Sequence, residues 1–215
     1  SAGVQAGDIQ APAFSAEACC NLCPEAHDAK NYTTRYQQNF TTLVQAKGDW
    51  LFRTQEDLRT EFDTTPAGYQ RMQQLHDAFK SRGVELVVVY QPTRGLVNRN
   101  KLMPAERDAF DYDSALKNYQ SMLGRFAKMG YYVPDLSPLT NEPDAKGDSA
   151  HDFYFRGDQH WTPYGAERTA KIVAETVKKV PGFADIPQRE FETKITGRMG
   201  KTGTLHNMAG QLCGT

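Results

Sequence analysis

Residues 84–90 read VELVVVY, an almost unbroken apolar run that is too short for another helix. Such runs are typical of interior strands in sheets covered on both faces, where neither face meets water and alternation with polar residues is lost. The segments on either side alternate in type. Upstream, Pro66 to Arg82 places Tyr69, Met72, Leu75, Ala78 and Phe79 on one helical face, and Gly83 stops it. Downstream, Asp113 to Met129 does the same with Leu116, Tyr119, Met122, Leu123 and Phe126, and Gly130 ends it. Tyr131 to Leu136, YYVPDL, then reads as a short strand. A further helix opens at Thr162-Pro163: the threonine hydroxyl suits the N-cap, and proline suits the first helical position. Ala166, Ala170, Val173 and Val177 recur along it at helical spacing, and Lys178 and Lys179 sit near the negative end of its dipole. This alternation predicts an α/β fold: a mostly parallel sheet layered with helices.

The flanking stretches are less regular. Thr41 to Arg53 reads as two short strands, TTLVQ and WLFR, about a turn containing Gly48. The pattern from Tyr32 to Phe40 is ambiguous. Pro138 to Ala150 is a polar loop, Arg189 to Thr196 alternates like an edge strand, and the Gly-rich tail from Gly197 onward shows no clear element. Residues 1–18 read as a poorly ordered lead-in without a basic-then-apolar signal, as in a mature or tagged N-terminus. The organisation expected is an extension over 1–31 carrying a cysteine cluster, then one domain over 32–215. A chain of 215 residues can bury the core of one domain, and a formal net charge of -1 argues against nucleic acid as the main partner. No apolar run reaches the roughly 20 residues needed to span a bilayer as a helix.

Cys19, Cys20 and Cys23 cluster near the start, and Cys213 lies far away. A disulfide from the cluster to Cys213 would close a loop of about 190 residues and imply an oxidising compartment. Which cysteine of the cluster takes part is open. The rival is zinc, since Cys20 and Cys23 have C-x2-C spacing with His27 nearby; a second ligand pair of that kind is missing.

In open α/β sheets, functional groups gather at the carboxyl ends of strands. Three such ends carry polar residues: Gln91, Thr93 and Arg94 after VELVVVY, Asp135 and Ser137 at the end of YYVPDL, and Asp158 and His160 in the turn before the 162–180 helix. A carboxylate that holds one imidazole nitrogen leaves the other free to deprotonate a hydroxyl, and Asp158-Gln159-His160 has suitable spacing for that pair. The same spacing also arises from ordinary surface polarity. Gln91, Thr93 and Arg94 are candidates for orienting a carboxylate-bearing sugar, arginine through its bidentate fork. Trp161 and Tyr164 are candidates for stacking on a sugar ring, against the alternative that they staple the helix start to the core. Ser137 is the best internal serine as a rival nucleophile, although it lacks a G-x-S-x-G setting. His151 and Asp152 beside Asp158 and His160 raise the question of a metal. His76 and His27 read as structural or solvated, and His206 has no assignment.

FYFRGDQHWTPYGAERTA at 153–170 resembles the D-x-H-W-T-x-x-G signature of the alginate O-acetyltransferases of the AlgX/AlgJ group. VVVYQPTRGLVNR at 87–99 and GDWLFR at 48–53 resemble further blocks of that family, in the same order. The resemblance covers nearly the whole chain. It implies an SGNH-hydrolase-like fold, a three-layer α/β/α sandwich, and periplasmic proteins that acetylate hydroxyls of mannuronate residues in alginate during its export. Asp158 and His160 would belong to a Ser-His-Asp triad rather than to a metal site, with no metal and no cofactor.

The family's serine lies downstream of the D-x-H, in a G-T-S-x-S-like block, whereas no serine follows Ser149 here. The expectation is therefore an N-terminal part of the enzyme, whose nucleophile and carbohydrate-binding module belong to further polypeptide. The partners implied are alginate, an acetyl donor, other alginate biosynthesis and export proteins, and that complementary C-terminal part. Two other functions fit the same residues: a polysaccharide acetylesterase, and a non-catalytic scaffold of the export complex.

Overall fold

The structure is a computed structural model and describes residues 22–214. The lead-in and Cys19 and Cys20 lie outside the described residues. The hairpin expected around Gly48 is formed by β1 (Leu43–Gln45) and β2 (Leu51–Arg53), antiparallel, with Val44 opposite Phe52. One turn of helix, α1 (Thr54–Asp57), follows directly. The helix expected from Pro66 is α2 (Pro66–Lys80), and Thr65 caps it by accepting from the Gly68 amide. Two short helices, α3 (Arg94–Asn98) and α4 (Pro104–Ala109), lead into α5 (Tyr112–Lys128). In α5, Ala115, Tyr119, Met122, Leu123 and Phe126 are buried, since these positions recur every three or four residues on one face. α6 (Pro163–Val177) begins at Thr162 as its sequence predicts. Its buried residues are Gly165 and Thr169, with Ile172 packed on the core, while Ala170 is exposed, so the inward face is rotated from the alanine–valine stripe.

VELVVVY is extended and pairs in parallel with the segment after α5. Val88 donates to the Tyr132 carbonyl and Tyr132 donates to that of Leu86, both near 3.0 Å. The expected mostly parallel sheet is thus represented by a single parallel bridge, Val87 to Tyr132, and among the described residues the laddered sheet is the antiparallel β1–β2 pair. The strand is nevertheless not covered on both faces: Val84 and Val89 are exposed and residues 85–88 half-buried. Burial on both sides requires elements packed over both faces of a strand, and the described residues cover this one only in part.

Two regions differ from expectation. Arg189 to Thr196 forms no strand. It is irregular and exposed, with Phe191 and Ile195 at 90% and 95% exposure. Alternation fits a segment for a sheet but does not supply one, and no backbone ladder within the described residues reaches it. The Gly-rich tail, in contrast, contains a helix, α7 (Thr204–Cys213).

The main core gathers Trp50, Phe52, Leu96, Tyr119, Leu136 and Phe153 between the hairpin and the helices. A second cluster joins Tyr32, Phe40, Leu43 and Leu51 to Leu205 and Ala209 of α7. The disulfide is Cys23–Cys213, whose ends are 190 positions apart in sequence. It ties the last residue of α7 to the described part of the N-terminal extension, and it removes Cys23 from any zinc set. His27 instead hydrogen-bonds through Nδ1 to the Thr41 carbonyl.

A cross-link closing so long a loop stabilises mainly by restricting the unfolded chain, by about 5 kcal/mol in the loop-entropy account. Cys213→Ser is therefore expected to lower the unfolding free energy by roughly 3–5 kcal/mol in urea titrations. The m-value should rise, because the open chain exposes more surface when unfolded. An unchanged midpoint would show that the bridge adds nothing to the fold.

Candidate active site

The candidate site is the tip of a tight reversal between Phe153 and Thr162. The Thr162 amide donates to the Phe153 carbonyl (2.9 Å) and the Phe155 amide to that of His160 (3.1 Å). Thr162 then starts α6 with its hydroxyl accepting from Gly165. Asp158 and His160 are brought together at this tip. Asp158 Oδ1 lies 2.6 Å from His160 Nδ1 and also accepts from the His160 amide at 2.9 Å. The two side chains have opposite environments: Asp158 is buried, and the His160 side chain is 64% exposed. No hydroxyl of a described residue hydrogen-bonds to His160 Nε2, which leaves that nitrogen open to an incoming group.

Asp158 is held as a carboxylate. Burial alone would raise its pKa, but the amides of Thr204 and His160, the imidazole and the Lys201 ammonium together bring it down to about 2. Oδ2 carries two of these contacts, the Thr204 amide at 3.0 Å and Lys201 Nζ at 3.6 Å. An ionised acid on Nδ1 fixes the ring and stabilises the imidazolium formed when Nε2 takes a proton.

The other sequence candidates divide. Arg94 is not available to a substrate carboxylate, which corrects the expectation for it. Its guanidinium is buried and donates to the carbonyls of Leu51 (2.6 Å), Phe155 (2.6 Å) and Asp158 (2.7 Å), and to Asp57 Oδ2 at 3.3 Å. The rings of Trp50, Phe52 and Tyr154 surround it within 6 Å. Thr93 is spent capping α3, accepting from the Leu96 amide. Gln91 donates to Thr169 Oγ1 at 3.0 Å, and its Oε1 is buried without a partner among the described residues. Tyr164 bonds Glu142 through its hydroxyl and packs edge-on against His151. Trp161 stands beside His160 with 39% of its surface exposed. Ser137 Oγ is buried and makes no bond to His160.

Sequence reasoning missed Asp57, Lys201 and Thr204. For the last two a signal was present: Leu205, Met208, Ala209 and Leu212 repeat at helical spacing and form the inner face of α7. The glycines around them mask it.

The model of the SGNH hydrolase-like domain of the acetyltransferase AlgX matches residues 43–215. The chain belongs to the AlgX family. It is 83% identical over its whole length to the alginate biosynthesis protein AlgX of Pseudomonas syringae pv. tomato, covering 44% of that protein. Against AlgX of Pseudomonas aeruginosa the identity is 53% over 95% of the chain and 42% of the relative. The probable alginate O-acetylase AlgJ of P. aeruginosa is 28% identical over 80% of the chain and 42% of AlgJ. A solved structure of P. aeruginosa AlgX superimposes with a TM-score of 0.83 and 55% identity, over 90% of this chain and 46% of that one. The chain thus spans less than half the length of the relatives it matches. Its fold and its AlgX-type acetyltransferase domain are those of the family.

Two outcomes follow from the geometry. Asp158 has its carboxyl held near 2 against an ordinary 3.8, so it contributes stability above about pH 4 that is lost as pH falls towards 2, about 2 kcal/mol in all. Asp158→Asn should flatten the pH dependence of urea unfolding over that interval; an unaltered slope would place the dependence elsewhere. Arg94→Met should cost about 3–5 kcal/mol in the same titration, because it strands Asp57 and several carbonyls in the interior.

Proposed function

We propose that this chain carries the histidine–aspartate half of a periplasmic alginate O-acetyltransferase. Supporting this are the AlgX-type acetyltransferase domain and, above all, the 2.6 Å contact between a buried Asp158 and an exposed His160 whose Nε2 is open. The third member is a serine from polypeptide that the longer relatives carry outside the matched region. His160 Nε2 takes the proton from that serine's hydroxyl while its oxygen attacks the acetyl carbonyl of a donor. The donor's leaving group departs with the proton from His160, and an acetyl-serine remains. A mannuronate hydroxyl then attacks the acetyl carbon and gives its proton to Nε2. Serine leaves as the alkoxide and recovers that proton. Asp158 stays ionised throughout and stabilises the imidazolium of each half-reaction.

The substrates in this reading are alginate and an acetyl donor, and the partners are other alginate biosynthesis and export proteins. Trp161, exposed beside His160, is the side chain best placed to meet a sugar ring. A disulfide joining distant parts of the chain agrees with an oxidising compartment such as the periplasm.

The chain alone should not turn over a chromogenic acetyl ester, because the nucleophile is not in it. In the full-length protein, His160→Ala should lower acetyl transfer to mannuronate oligomers by about 10³-fold or more, with Asp158→Asn in a similar range. Ester turnover by the isolated chain that is lost in His160→Ala would overturn the assignment of an external serine.

A further inference from the structure

We propose that Lys201, Gly203 and the Thr204 amide are positioning residues of the Asp158–His160 pair: they occupy the second oxygen of Asp158, so that the first always faces the imidazole. The inference rests on reading the pair as catalytic, but its evidence is geometric. A carboxylate is a two-fold rotor whose last torsion has broad wells, so one hydrogen bond to the histidine would not fix it. Here the two oxygens are divided. Oδ1 takes the imidazole at 2.6 Å and the His160 amide at 2.9 Å. Oδ2 takes the Thr204 amide at 3.0 Å and the Lys201 ammonium at 3.6 Å. Neither oxygen can rotate away without breaking contacts on both sides.

The donors come from a segment more than forty residues away in sequence, held close by a pair of glycines. Gly203 has φ +92°, a conformation that side chains oppose, and a Cβ there would lie 2.7 Å from Asp158 Cβ and overlap the Gly157 carbonyl. A Cβ on Gly157 would in turn lie 2.6 Å from the Thr202 carbonyl oxygen and 2.9 Å from His206 Cβ. The two backbones pass at a separation only glycine permits at both points, and the His206 amide ties them by donating to the Gly157 carbonyl at 3.1 Å. Thr204 is the first residue of α7, so its amide is among those a helix leaves unpaired, at the end that favours an anion. Lys201 is steadied over the Phe155 ring, 4.8 Å from its centroid. The far end of α7 is fixed by Leu205 and Ala209 in the second cluster and by the disulfide at Cys213. Lys201 also opposes the imidazolium for the same carboxylate, so it tempers the acid's pull on His160 as well as orienting it.

Carboxyl ¹³C NMR on the intact chain tests this. Lys201→Met should move the titration midpoint of Asp158 measurably upward, because the carboxylate loses its neighbouring cation, and Lys201→Arg should hold it near the parent value. Gly203→Ala should speed exchange of the His160 Nδ1–H proton with water by about tenfold, as the carboxylate loses its fixed orientation, while amide protection in α2 and α5 stays unchanged. If Gly203→Ala does not fold, the Lys201 pair decides alone, since that side chain is partly solvent-facing. An Asp158 midpoint that Lys201→Met leaves unmoved overturns the proposal. None of these readouts involves acetyl transfer, so a failure of the proposed reaction would leave them standing, and the reverse also holds.

Discussion

Much of this structure depends on burying one guanidinium. An arginine taken out of water must find acceptors for all of its donors, because an unmet N–H in the interior costs about as much as a hydrogen bond is worth. Arg94 meets this demand with carbonyls from β2 and from the reversal carrying Asp158 and His160, together with the Asp57 carboxylate from α1. Two stretches far apart in sequence, the contiguous β2–α1 segment and the reversal at 155–158, are thereby set at fixed distances from one cation. Asp57 in turn accepts from the amide and guanidinium of Arg53, so the hairpin end and α1 are held by the same charge. Aromatic faces of Trp50, Phe52 and Tyr154 close off the remaining space and keep water out.

The reversal that Arg94 supports has a sharp gradient across it. The acid lies inside, with backbone amides and a lysine keeping it charged, while the imidazole two residues later stands in solvent. In a less polar setting the hydrogen bond between them is stronger than it would be at the surface. The exposed ring nitrogen can meet a reactant without moving any backbone. This division follows from the geometry of the turn: Phe155 and His160 are paired through their backbones, which directs the intervening carboxylate inward and the ring outward.

Local chemistry was readable in the sequence, and long-range chemistry was not. Thr162-Pro163, the face of α5 and the hairpin about Gly48 each depend on residues within a few positions of one another, and all formed as read; α2 formed as a helix, but Leu75, Ala78 and Phe79 of its expected inward face are exposed. The Asp158–His160 contact is local in the same sense. Arg94 was misread because its sequence context, the end of an apolar strand, describes a binding loop and an interior strut equally well. Its partners are thirty-seven to sixty-four residues away. The apolar run at 84–90 fixed a strand but not its number of neighbours, and Arg189 to Thr196 has strand-like alternation without a ladder. α7 was obscured by Gly200 and Gly203 just before it and by Gly210 within it, and the helix penalty of Gly210 is overcome by packing against β1 and β2 and by a covalent anchor.

The bridge between Cys23 and Cys213 makes nearly all of the described chain a closed ring. Among the described residues the longest exposed irregular segment, 187–200, lies inside that ring, immediately before the residues that hold Asp158. One cleavage there would linearise the ring yet release no fragment, and α7 would stay tethered through its far end. A nick would then pass unseen by size under oxidising conditions and separate into two pieces only after a reductant is added.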